Sequence, residues 1–260
     1  MTLKNKIVLV TGGAGGIGAA ISKKMADEGA SVIVTYNSNA EKAANLVKTL
    51  HCSVSTQQHS VFHAPTTDAE KVKALAGFVT EKYGRLDILV NNAGITTPVP
   101  HDDLEGLSDE WIDKIMQTNV RGTFAMIRAF KGLLLAATQN PKPETQNASL
   151  VVNISSVAAV TGIGSNVAYC ASKAAVDSMT RSLARALAPK IRVVSVSPGW
   201  VLGEYAKTID PAYLKMQEDL TPLSRLATPE DVANTVYALA TYLTFTTGAI
   251  IPVDGGRPLK

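Results

Sequence analysis

Two hydrophobic rhythms alternate along the chain. Short apolar runs rich in β-branched residues fall at 7–10, 31–35, 86–91, 150–154, 192–196 and 250–253. Their continuous hydrophobicity, as in Ile7-Val8-Leu9-Val10, predicts strands buried on both faces. Between them, apolar positions recur every three to four residues at 19–28, 40–50, 69–83, 109–137, 168–188 and 229–243, which predicts amphipathic helices. Alternation of this kind implies right-handed βαβ units, and so an α/β fold with a parallel sheet covered by helices on both faces. The segment 52–67 is expected to hold a further strand, whose register the polar run Ser55-Thr56-Gln57-Gln58-His59 obscures. Residues 139–148, with two prolines, read as a surface loop. No repeat or linker interrupts the pattern, so residues 1–260 are expected to form a single domain.

Composition narrows the classes. The chain is 46% hydrophobic and 18% charged, yet no uninterrupted apolar stretch is long enough to span a bilayer, so no membrane association is expected. Met1 to Ile7 run straight into the first strand, and no signal peptide is expected. The net charge of +3 is spread without a Lys/Arg block, which argues against a nucleic-acid partner. Cys52 and Cys170 have no metal-ligand spacing and are too few for a disulfide framework. A reducing, cytoplasmic setting and no metal site are the expectations.

Two motifs carry chemistry. Thr11-Gly12-Gly13-Ala14-Gly15-Gly16-Ile17-Gly18 joins the first strand to the first helix. Free backbone N–H groups and the positive end of the helix dipole would meet an anion there, and glycine lets the backbone approach closely. Dinucleotide binding follows from that context, although glycine clusters also serve plain turns. The second motif is Tyr169-Cys170-Ala171-Ser172-Lys173. On a helix its phenol and ammonium lie one above the other. A free tyrosine, with a pKa of about 10, is a poor proton donor at neutral pH, and a neighbouring cation favours the phenolate. A half-buried Tyr beside a solvated Lys would give the same spacing.

Read together, the segments resemble the short-chain dehydrogenase/reductase family, in a compact branch similar to 3-oxoacyl-carrier-protein reductases. Thr11, Gly12, Gly16, Ile17 and Gly18 match its cofactor turn, with Gly15 inside it. Asn91-Asn92-Ala93-Gly94 matches the sequence after its fourth strand. Asn119, Ser156, Tyr169 and Lys173 match its catalytic tetrad, Ser156 standing 13 positions before Tyr169. That offset selects Ser156 over its neighbour Ser155. Ser197-Pro198-Gly199 and Val253-Asp254-Gly255-Gly256 match as well.

The resemblance implies a Rossmann-like, doubly wound sheet and an NAD(P)-dependent oxidoreductase acting on a small-molecule carbonyl or secondary alcohol. Tyr169 would be the general acid/base. Lys173 would lower its pKa and hold the nicotinamide ribose, Ser156 would stabilise the developing alkoxide, and Asn119 would hold a water linking Lys173 to solvent. Asn92, Ala93, Gly94, Pro198, Gly199 and the Val201 backbone would line the cofactor. An NAD-dependent dehydrogenase of a small alcohol or sugar is the alternative, with a non-catalytic nucleotide sensor further behind. A homotetramer or homodimer is expected, with interfaces on 109–137, 168–188 and the C-terminal strand.

The cofactor's phosphate state turns on the end of the second strand, where an acidic residue would bond the adenosine ribose hydroxyls and repel a 2′-phosphate. Tyr36 stands there, followed by Asn37 and Ser38, with no carboxylate. NADP is therefore expected, with NAD as the alternative, although the basic residue that many NADP enzymes carry in the glycine turn is replaced by Gly15. Three departures remain. Pro65 falls where the resemblance implies an adenine contact, and Gly203 where it implies a threonine. The loop 95–108 is longer than the resemblance implies and is expected to line the substrate pocket with 200–226. Its His101 reads as a solvated loop histidine rather than a second acid.

Overall fold

A computed structural model describes residues 3–50, 59–138, 148–203 and 209–259. Among these residues seven strands form one parallel sheet: β1 (Ile7–Val10), β2 (Ser31–Tyr36), β3 (Ser60–His63), β4 (Ile88–Asn91), β5 (Ser149–Ile154), β6 (Ile191–Pro198) and β7 (Ile250–Val253). They lie in the order β3-β2-β1-β4-β5-β6-β7. The order reverses between β1 and β4, and in open α/β sheets a ligand crevice opens beyond the strands' carboxyl ends at such a reversal. The glycine turn after β1 and the Asn91–Gly94 segment after β4 both end there.

Alternation along each strand feeds two apolar layers. Val8, Val10, Val32, Val34, Ile88 and Val90 join one buried cluster with helix α1 (Gly16–Asp27) and the late helix Pro229–Thr241. Ile7, Leu9, Ile33, Leu89, Val151 and Val193 join the other, with α3 (Ala69–Tyr83) and α5 (Thr123–Ala136). Phe130 of α5 is fully buried there. This is the doubly wound architecture expected from the sequence.

The helices α2 (Ala40–Thr49), α4 (Asp109–Ile115) and α7 (Val167–Leu187) also fall where periodicity predicts, but three features do not. The helix expected over 109–137 is divided: between α4 and α5, Met116–Gly122 is a π-helical stretch. A template with 3.6 residues per turn contains no such widened turn, so periodicity predicts one continuous helix there. The short helices α6 (Ala158–Thr161) and α8 (Pro211–Asp219) were too brief or too polar to stand out; Pro229–Thr241 is therefore α9. The strand expected within 52–67 is β3, paired with β2 from Ile33↔Ser60 to Tyr36↔His63, while the polar run before His59 lies outside the described residues. So do 139–147 of the expected surface loop and 204–208 of the expected pocket wall. No helix among the described residues is long and apolar enough to cross a membrane.

Candidate active site

The turn after β1 is shaped by what glycine omits. Gly12 has φ +60, a left-handed conformation that disfavours a side chain. A Cβ on Gly18 would lie 2.4 Å from Gly12 O and 2.6 Å from Asn92 Nδ2, so only glycine lets α1 start this close to the turn. Asn92 Nδ2 donates to Thr11 O at 3.0 Å and Gly12 O at 3.2 Å. The N–H groups of Asn92 and Ala93 both donate to Thr11 Oγ1, at 2.9 and 3.0 Å. Thr11, the first residue of the motif, thereby clamps the glycine turn to the segment after β4, a role that the motif alone does not disclose. The N-cap of α1 is Gly15, which has no side chain to cap the helix, whereas α2, α3 and α7 are capped by Asn39, Asp68 and Asn166. Helix N–H groups without a side-chain cap, beside a turn closed to side chains, fit a dinucleotide phosphate.

On the far wall, Asn166 accepts from Tyr169 N at 2.7 Å and donates to Thr97 O at 2.7 Å. It starts α7 and ties Tyr169, in the first turn, to the loop after β4. An Asn immediately before a helical pattern is a cap signal, and it was present in the sequence. One turn further on, Lys173 is buried, and its ammonium donates to Ile154 O at 2.8 Å while lying 5.6 Å from the Tyr169 ring centroid. Burial pushes the Lys173 pKa down from 10.5 to about 8, with Asp177 on the next turn working in the opposite direction. Near neutrality the folded chain therefore still holds a cation beside the phenol.

Asn119 enters from the π-helical stretch. Its Oδ1 accepts from Ile95 N at 2.9 Å, and its Nδ2 donates to Ile95 O and Ser172 Oγ, both at 3.0 Å. These are bonds across elements rather than to its own turn. A Cβ on Gly94 would lie 3.3 Å from Asn119 Oδ1 and 3.6 Å from Lys173 Nζ, so the two side chains converge on a bare stretch of backbone.

Of the two serines after β5, Ser155 is buried and donates to Lys173 O at 3.4 Å. It also faces Asp177, whose carboxyl burial pushes up in pKa and whose bonds to Ser155 and Ser195 pull down. Ser156 is partly exposed, lines the cleft and accepts from Ala158 N at 3.2 Å. The cleft encloses about 1070 Å³ and contains Ser156, Tyr169 and Lys173 together with Ile17, Asn92, Gly94, Pro198, Gly199 and Val201. Its outer wall is apolar, with Pro98, Val99, Ile163, Trp200 and Leu220, and Trp200 packs edge-on against Tyr213 at 5.7 Å. Arg257 is also part of that wall, held by Gln217 O at 2.9 Å and by Gln217 Oε1. His101 is exposed and bonds Gly164 O at 3.1 Å.

The residues expected to meet the adenosine are not among those lining this cleft. Tyr36 stacks at 5.2 Å on His63 at the ends of β2 and β3, and Asn37 and Ser38 follow it on the surface. Pro65 lies in the turn before α3, and Pro65 O accepts from Asp68 N at 3.0 Å. Asp68 itself is engaged as the α3 cap, accepting from Lys71 N.

A parallel sheet with its crevice at the order reversal, a glycine phosphate cradle and a Tyr/Lys/Ser group beside it define a nicotinamide-dinucleotide oxidoreductase. A family model described as enoyl-(acyl carrier protein) reductase matches residues 12–257. The chain belongs to the short-chain dehydrogenase/reductase family and is an NAD(P)-dependent oxidoreductase. It is similar to the 3-oxoacyl-(acyl-carrier-protein) reductase FabG of Staphylococcus aureus, 34% identical over 96% of this chain and 97% of that one. It is equally similar to a 3alpha-hydroxysteroid dehydrogenase of Mediterraneibacter gnavus, 34% identical over 98% of both. Among solved structures, the RhlG/NADP active-site complex of Pseudomonas aeruginosa superposes with a TM-score of 0.88 at 32% identity, over 98% of this chain and 97% of that one.

Proposed function

We propose that the protein transfers hydride between NADP(H) and a carbonyl or secondary alcohol, with Tyr169 moving the accompanying proton. The observation that carries this reading is the group on one wall of the cleft: the Lys173 ammonium 5.6 Å from the Tyr169 ring, with Ser156 lining the same space. When bound, the nicotinamide supplies or accepts the hydride. In carbonyl reduction the Tyr169 hydroxyl delivers a proton to the substrate oxygen, and in alcohol oxidation it takes one. Lys173, charged near neutrality, favours the phenolate left behind. The Ser156 hydroxyl donates to the oxygen on which charge develops, and such a donor contributes most where water is excluded. Asn119 holds the Ile95 backbone and Ser172, and so fixes the loop opposite Lys173.

The apolar outer wall fits a substrate with a hydrophobic body. The relatives' names refer to 3-oxoacyl and 3-hydroxysteroid compounds, both of which place a ketone or secondary alcohol on such a body. NADP(H) is favoured over NAD(H) because β2 ends in Tyr36-Asn37-Ser38 without a carboxylate, and the RhlG structure is an NADP complex. We further propose a cytoplasmic, single-domain protein that assembles as a homodimer or homotetramer.

The test follows NADPH absorbance across a panel of ketones, aldehydes and secondary alcohols. Wild-type protein should turn over at least one hydrophobic carbonyl, and Tyr169→Phe should lose almost all of that turnover while still binding NADPH. Substantial residual turnover in Tyr169→Phe would remove the assigned proton donor.

A further inference from the structure

The cofactor turn receives a cation that stands in neither motif. A Cβ built on Gly15 would lie 3.6 Å from Lys42 Nζ and 3.9 Å from Lys42 Cε. The ammonium of Lys42 thus occupies the space beside the turn that a side chain at position 15 would enter. Lys42 sits in the first turn of α2, where its backbone N–H donates to the cap Asn39 Oδ1 at 2.8 Å. Since α2 begins just after Tyr36-Asn37-Ser38, its first turn brings Lys42 to the carboxyl end of β2. Segments 11–18 and 35–39 contain no carboxylate.

We infer that Lys42 reads the 2′-phosphate of NADP(H), delivering from α2 the positive charge that the glycine turn lacks. The inference rests on the NADP(H) reading above. A phosphate monoester carries close to two negative charges at neutral pH. An ammonium on a flexible stem suits it as a point charge, while the Asn37 and Ser38 side chains add neutral donors. The bare Gly15 is then a complement to Lys42, because a side chain there would crowd the lysine.

Calorimetric titration with 2′,5′-ADP, 5′-AMP, NADPH and NADH separates the possibilities without depending on turnover. Wild-type protein should bind 2′,5′-ADP more tightly than 5′-AMP, by a margin that shrinks with added salt. Lys42→Met keeps the methylene stem and removes the charge. It should weaken 2′,5′-ADP and NADPH by roughly ten- to a hundredfold while leaving 5′-AMP and NADH within about twofold. Lys42→Arg should retain most of the preference. Wild-type protein that does not distinguish 2′,5′-ADP from 5′-AMP would overturn the NADP(H) reading itself, and this inference with it. Discrimination in wild type that persists in Lys42→Met would overturn the Lys42 assignment alone. So would equal weakening of NADPH and NADH, which would put the ammonium on the pyrophosphate.

Discussion

Burial decides what Lys173 can do. Its ammonium holds a proton less tightly in the folded chain, at about 8, than at the 10.5 of an exposed lysine. Between those values the unfolded chain binds more protons, so the Lys173 contribution to stability rises with pH across that window. Below it, the charged lysine carries the full desolvation cost. Lys173→Met should therefore look most favourable against wild type at pH 7 and lose about 2 kcal/mol of that relative stability by pH 10. Paired urea melts at the two pH values measure this; a difference that does not move with pH would mean that the lysine is solvated. The two serines give a sharper kinetic contrast. Ser156→Ala should lower kcat by about a hundredfold, the scale of one lost oxyanion donor. Ser155→Ala should act mainly on stability, since Ser155 bonds Lys173 O and lies against Asp177. If Ser155→Ala had the larger effect on kcat, the thirteen-residue spacing would have selected the wrong hydroxyl. At this scale the juxtaposition of Tyr169 and Lys173 was legible in the sequence, because helix periodicity sets the two one turn apart on α7, whereas Asn119 and Ser156 were picked out only by the family resemblance. Lys42 was not legible, because its approach to Gly15 depends on how α2 leaves β2.

The elements set where those side chains point. Strands and long helices follow directly from hydrophobic period, since each strand's alternation supplies both apolar layers. What periodicity missed is the π-helical widening at Met116–Gly122, and that widening carries Asn119. Its amide is almost fully buried, with three bonds to Ile95 and Ser172. A π-turn frees local carbonyl geometry and re-aims one side chain, which explains its frequency at functional sites. Asn119→Ala leaves the Ile95 N–H and carbonyl without these partners, at ~1–3 kcal/mol for each buried group left unpaired. We expect a lower denaturation midpoint and a fall in kcat together, because the same bonds hold the loop facing Lys173. Asn119→Ala with wild-type stability but impaired turnover would instead assign Asn119 to proton delivery alone.

At the scale of the whole molecule, apolar side chains remain outside both core layers. Trp111, Met116 and Phe124 are exposed along α4, the π-helical stretch and α5, and Val167 is exposed at the start of α7. A second group, Tyr242, Leu243 and the fully exposed Phe245, precedes β7. Single exposed hydrophobics are ordinary, whereas contiguous apolar patches mark association surfaces, and we propose each of these two groups as one. Two distinct self-complementary faces on one chain generate a tetramer with perpendicular two-fold axes, and one face alone generates a dimer. If both proposed faces are used, light scattering should give four times 27.4 kDa at micromolar concentration. Phe124→Asp and Phe245→Asp should each reduce that mass to a dimer, and the double variant should reduce it to the monomer, because a carboxylate buried in an apolar contact has no partner. A wild type that scatters as a monomer would overturn the assembly. A tetramer unaffected by either substitution would show that these two patches are not its faces.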